Sequence, residues 1–211
     1  MARHVFFSFH YQDVADFRAN VVRNSWLTKN RDNKGIFYDG SIWEEAKLKG
    51  TNALKELIQN GLHYTSATAV LIGKETHERK WVKYEIFKSF EDGNGLLAIY
   101  VNRIKDKDVH IAAKGLNPFD RLGIQVSEDG KCLYFYELVD GKWQSFKDLP
   151  SITNKNSNTL YFDNGSWYKS SNWGKFFKLS DLFPTYCWVN DDGYNNFSNW
   201  VEEAVKQAGR A

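Results

Sequence analysis

Hydrophobic positions change their period twice along this chain. From His4 to Phe9 nearly every residue is apolar, a short run that predicts a strand buried on both faces. Asp13 to Trp26 switches to helical spacing, with Val14, Phe17 and Val21 on one row and Ala15, Val22 and Trp26 on another. Gly35 to Asp39 predicts a second strand. Thr51 to Asn60 places Leu54, Leu57 and Ile58 on one helix face, and Asn60-Gly61 supplies a left-handed stop. Ala67 to Ile72 predicts a third strand, a helix over His77 to Phe90 ends near Asp92-Gly93, and Leu96 to Val101 predicts a fourth strand. Strands apolar on both faces and separated by amphipathic helices indicate α/β architecture, a parallel sheet covered on both sides.

After Asn102 the period becomes two. Lys131 to Leu138 and Lys142 to Phe146 flank Asp140-Gly141, which predicts a hairpin closed by a type I′ turn. Thr159 to Phe162 and Ser166 to Lys169 flank Asp163-Asn-Gly165 and predict a second hairpin, with a polar loop over Ser151 to Asn158 between the two. Pro184 to Val189 predicts a fifth strand. A helix over Tyr194 to Ala208 then aligns Phe197, Trp200, Val201, Ala204 and Val205 on one side. The arrangement expected is one domain over residues 1–211. Its doubly wound, five-stranded core comprises 1–102 and 184–211, interrupted before the last strand by a hairpin-rich insertion, 103–183.

Composition narrows the function classes. Hydrophobic residues make up 42% and charged residues 26%, as in a soluble globular protein. The net charge of +2 gives no electrostatic case for nucleic acid or an anionic membrane. No apolar run approaches the ~18 residues of a membrane span, and no charged leader precedes an apolar core, so a cytoplasmic location is expected. Cys132 and Cys187 then read as reduced thiols with no disulfide between them. His4, His10, His63, His77 and His110 show no ligand spacing, so no metal is expected.

In open parallel sheets, ligands bind beyond the carboxyl ends of the strands where strand order reverses. Four segments converge there: the turn Ser8-Phe9-His10-Tyr11, Asp39 with the loop 40–45, Gly73 to His77, and the first turns of the next helix. That helix carries Trp81 and Glu85 one turn apart on one side. At 100° per residue, Val82, Ile86, Ser89 and Phe90 face the core, with Glu85 on the rim of the stripe and Trp81 beyond it. Glu85 is therefore expected on a crevice wall, where Glu85→Gln should cost less than ~1 kcal/mol of stability. A solvated glutamate beside Lys83 and Lys88 would show the same pattern. Trp43 adds an aromatic face for a flat ring. No Gly-x-Gly-x-x-Gly, Walker loop or Gly-x-Ser-x-Gly elbow is present. Ser8 and His10, two apart at a strand end, point apart rather than form a nucleophilic pair. The first strand also ends without the clustered acids of a phospho-receiver.

Phe6-Phe-Ser-Phe-His10, the polar loop after Asp39 and Trp81-x-x-x-Glu85 together resemble a TIR domain of the bacterial, NAD-consuming branch. The resemblance runs on through Asn117-Pro-Phe-Asp120, Asp140-Gly-Lys-Trp143 and Trp188 to Tyr194. Over nearly the whole chain it is similar to the TIR-like subunit of the Thoeris anti-phage system. That resemblance implies a flavodoxin-like fold and NAD⁺ as substrate rather than cofactor. It also implies a cyclic ADP-ribose isomer as product, a separate effector activated by it, and a phage-derived trigger. By position, Glu85 matches the catalytic glutamate and Trp81 its motif partner, while Ser8, Phe9, His10 and Asp39 match pocket-lining positions. The alternatives are a non-enzymatic TIR-like adaptor and a nucleotide sensor without turnover, neither of which needs Glu85 in a crevice. The insertion's aromatics would serve as a lid over the pocket or as extra core and protein-binding surface.

Overall fold

In a computed structural model, the residues described are 3–11, 13, 17–29, 34–36, 46, 48–153 and 170–210. The α/β class holds. Strands β1 (His4–Ser8), β2 (Lys34–Ile36), β3 (Ala67–Ile72), β4 (Gly95–Tyr100) and β10 (Thr185–Cys187) form a parallel sheet in the order β10-β4-β3-β1-β2. Ser8 pairs with Val70 and Ile72 with Tyr100, so the strands end nearly level. Strand order reverses between β1 and β3, which makes their carboxyl ends the switch point.

Alternation along these strands supplies two cores. Val5, Phe7, Ala69, Leu71, Leu97 and Ile99 turn toward helices α1 (Arg18–Lys29) and α4 (Gly193–Gln207), where they meet Val22, Trp26, Phe197 and Trp200. Phe6, Val70, Ile72, Leu96 and Ala98 turn the other way, toward α2 (Thr51–His63) and α3 (Lys80–Glu91). In α4 all five apolar residues expected inward are buried. In α1 the expectation divides: Val22 and Trp26 are buried, whereas Phe17 and Val21 are exposed. Phe17 takes a left-handed φ of 63° and stands before α1, which starts at Arg18, while Val14 and Ala15 lie outside the described residues. The stop expected at Asn60-Gly61 does not form. α2 continues through buried Gly61 to His63 because Leu62, fully buried in the core, extends it by most of a turn.

The chain between β4 and β10 builds an antiparallel sheet from β5 (Leu122–Val126), β6 (Cys132–Val139), β7 (Lys142–Ser145), β8 (Ser151–Thr153) and β9 (Phe176–Lys178). The β6–β7 hairpin closes on Asp140 and Gly141 at φ 48° and 74°, the two left-handed positions of a type I′ turn. The second expected hairpin, 159–169, lies outside the described residues. Cys132 and Cys187 are both free thiols and both half-buried.

This second sheet packs on the side of α3 that faces away from the first. Phe135 of β6 stacks on Phe87 with ring centroids 4.4 Å apart and meets Phe90 edge-on at 5.8 Å. Phe146 closes on Phe87 at 5.0 Å. Polar ties ring the contact: Lys83 Nζ reaches Glu137 at 2.9 Å, and Lys55 and Lys80 share Asp148 at 3.1 and 2.9 Å. α3 is thereby enclosed, and every residue from Tyr84 to Phe90 is buried. Phe135→Ala removes the ring that joins the second sheet to α3. It should lower unfolding free energy by about 3–5 kcal/mol in denaturant titration; a loss under ~1 kcal/mol would mean that the second sheet does not brace the helix.

Candidate active site

Two strand ends and one helix make the site. β1 ends on Ser8, which lies on the same face as Phe6 and so points toward α3. α3 presents Val82, Glu85, Ile86 and Ser89 to the parallel sheet while Phe87 and Phe90 serve the antiparallel one. Ser8 Oγ donates to Glu85 Oε2 at 2.5 Å, a short contact between side chains 1% and 6% exposed. One turn along α3, Ser89 Oγ donates to the Glu85 carbonyl at 2.6 Å and lies 2.8 Å from Thr68 Oγ1 of β3. Sequence reasoning missed that second pair. Its signal was there: Thr68 is the one polar residue in a strand buried at all six positions.

The loops above these ends interlock. Thr76 Oγ1 accepts the Gly73 amide at 2.9 Å and donates to Asp13 Oδ2 at 3.3 Å, joining the loop after β3 to the loop after β1. Glycine at 73 lets the two loops approach, since a Cβ would stand 1.8 Å from the Asp13 carboxylate and displace that side chain. The Gly73–His77 segment was expected at this end of the sheet, but the contact of Thr76 with Asp13 was not, since the two lie 63 residues apart in the chain.

Glu85 differs from expectation. It is buried, not on a rim: its side chain is 6% exposed and turns in against the end of β1, where Ser8 bonds it. Burial pushes its carboxyl up from 4.5 to about 8, and the Ser8 hydrogen bond opposes this only in part. In the resting protein at neutral pH, Glu85 is mostly protonated. His10 sits at the mouth of the same turn, half-buried, and its pKa is lowered first by burial and then by the Arg79 guanidinium. Arg79 is itself paired with Glu75.

The remaining nominated residues are more dispersed. Trp81 is half-buried against the same core, edge-on to Tyr84 at 5.9 Å, with Lys80 Nζ 5.1 Å from its ring centre. The Phe9 ring packs on the opposite core, under α1 and α4, so strand alternation turns it away from Glu85. Asp39 and Trp43 lie outside the described residues. A separate groove of about 500 Å³, lined by Leu182, Pro184, Tyr186 and Glu203 among others, opens beside β10, three strands from β1, and holds no nominated residue. Among the described residues, no group of three or more His, Cys, Asp or Glu side chains could hold a metal ion.

Residues 6–106 match the family described as Thoeris protein ThsB, TIR-like domain. A protein of Bacillus cereus strain MSX-D12, named "Putative cyclic ADP-D-ribose synthase ThsB1", is 52% identical to this chain over 203 residues, covering 95% of this chain and 100% of the relative.

A carboxyl whose folded pKa is raised stabilises the fold fully below its unfolded pKa and loses that contribution as pH climbs through the folded value. Between pH 4.5 and about 8, Glu85 therefore makes the protein progressively easier to unfold. Glu85→Gln removes this slope. Above pH 8 the variant should be the more stable protein by on the order of 3 kcal/mol in urea titrations, a reversal of the small cost expected for an exposed residue. Parallel stability–pH curves for the two proteins would show instead that Glu85 is hydrated.

Proposed function

Because the chain belongs to the Thoeris ThsB family of TIR-like domains, we propose that it cleaves the nicotinamide–ribose bond of NAD⁺ with Glu85 as the catalytic carboxylate. It then closes the ADP-ribose product into a cyclic isomer. The observation that carries this is the buried Ser8–Glu85 pair at the switch point of the parallel sheet. His10, Asp39, Trp43 and Trp81 border the NAD⁺ site, with Phe9 contributing through its backbone and Ser8 through its bond to Glu85. Residues 103–183 are an insertion in a single flavodoxin-like domain whose core is 1–102 and 184–211. The cyclic product activates a separate effector, and a phage-derived signal triggers its synthesis in the cytoplasm. Among the described residues, no helix is long and apolar enough to cross a membrane.

The chemistry follows from charge. As the bond from nicotinamide to the anomeric carbon breaks, its electron pair neutralises the pyridinium nitrogen and the ribose becomes oxocarbenium-like. A carboxylate beside that ribose stabilises the developing cation. Nicotinamide leaves as a neutral molecule, so no general acid and no further cofactor are needed. A nucleophile of the same molecule, a hydroxyl or an adenine nitrogen, then supplies the pair to the anomeric carbon, and one proton is released to solvent, so that NAD⁺ gives nicotinamide, the cyclic product and H⁺. Excluding water favours this closure over hydrolysis.

Glu85 must be ionised to act, although the empty fold keeps it neutral. The positively charged nicotinamide riboside supplies what burial withholds, because an opposite charge nearby favours the charged form. In extracts of infected cells, kcat/KM for NAD⁺ should rise with pH through a midpoint near 8, the value for the free enzyme. Glu85→Gln should lower nicotinamide and cyclic-product formation by ~10²-fold or more at every pH. Parental turnover by that variant would leave a non-catalytic adaptor as the better description.

A further inference from the structure

Most of the interface between α3 and the parallel sheet is apolar and therefore non-directional: Val82 and Ile86 against Phe6, Val70 and Ile72 fix distance but not rotation. Two buried polar bridges supply the missing direction. Thr68–Ser89 and Ser8–Glu85 stand one helical turn apart, and each joins a strand to α3. Ser8 is the last residue of β1 in register with β3, so its backbone is held by the ladder. The Asp13–Thr76–Gly73 contact braces the chain just beyond it. The hydroxyl is thus fixed to the sheet and Glu85 is fixed to the hydroxyl.

We propose that Ser8 is a positioning residue acting through Glu85: its hydroxyl holds Oε2 against the end of β1, so that Oε1 faces the ribose. The proposal rests on the NAD⁺-cleaving function above and adds that Ser8 works on the carboxylate rather than on the substrate. Among the described residues of the elements packed against α3, no other titratable side chain takes this part. β3 carries no titratable side chain, β4 only Tyr100, and β1 only His4 at its far end. From α2, Lys55 lies over the Tyr84 ring and pairs with Asp148. From β6, Glu137 pairs with Lys83. Burial and Ser8 are the influences on the Glu85 carboxyl, and Ser8 is the one that favours its charged form.

Ser8→Ala separates the two roles. With glutamate carboxyl carbons isotope-labelled and the Glu85 resonance assigned by its loss in Glu85→Gln, NMR reports the titration without requiring activated enzyme. The midpoint should move up by about one pH unit in Ser8→Ala, since a hydrogen bond to the charged form has been lost, and return toward the parental value in Ser8→Thr. In infected-cell extract, kcat should fall about tenfold with KM for NAD⁺ unchanged, and Ser8→Thr should restore it. An unmoved Glu85 titration overturns the proposal, as does a raised KM at parental kcat, which would make Ser8 a substrate contact. Full turnover by Glu85→Gln would instead sink the NAD⁺-cleaving function and leave the titration result standing on its own.

Discussion

One helix is packed from both sides, and its single inward carboxyl has nowhere to be hydrated. The enclosure of α3 between a parallel and an antiparallel sheet governs the rest. Burying an ionised carboxylate costs several kcal/mol, so the fold keeps Glu85 protonated and gives it one short bond to Ser8. The helix tolerates this because Phe87, Phe90, Phe135 and Phe146 form an aromatic cluster on its other side. Each such ring contributes about 1.5–3 kcal/mol by burial. Stability is thus concentrated where the second sheet meets α3, and the strained group sits directly behind it.

That placement converts a folding cost into chemistry. In the proposed reaction, a neutral acid at rest becomes a carboxylate when the substrate's cation arrives, and the desolvation that opposed ionisation then strengthens its pull on an oxocarbenium-like ribose. The interlocked loops after β1 and β3 keep the strand ends in place while this happens, because Asp13, Thr76 and Gly73 leave no slack between them. The aromatic segment after β4 has a defined part in this: β6 and the residue after β7 encase α3. An enclosed carboxyl also favours closure by a group within the same substrate molecule over attack by water.

Much of this was legible in the sequence, and the gaps have physical causes. Apolar runs and helical rows located the four strands and three helices of the first half and the last helix, because burial on two faces writes itself directly into residue type. Asp140-Gly141 announced its turn through the two left-handed positions that it fills. Trp81-x-x-x-Glu85 was recognisable, but the burial of Glu85 was not, since helical periodicity puts it at the edge of the stripe and its partner Ser8 lies 77 residues away in the chain. The end of α2 was misplaced because Leu62 in the core outweighed a local glycine signal. Ser89 was expected to face the core and Thr76 to lie at the strand ends, but their bonds to Thr68 and Asp13 were not legible. Each matters only through a partner far away in the chain.

The coupling of substrate charge to Glu85 ionisation is measured most directly by counting protons. Calorimetric titration of NAD⁺ into the protein at pH 7, repeated in buffers of different ionisation enthalpy, gives the number of protons released per nucleotide bound. With Glu85 held at about 8 in the free protein, most of one proton should be released on binding, and none from Glu85→Gln. Equal release near zero from both proteins would contradict the claim that substrate ionises a buried, neutral glutamate.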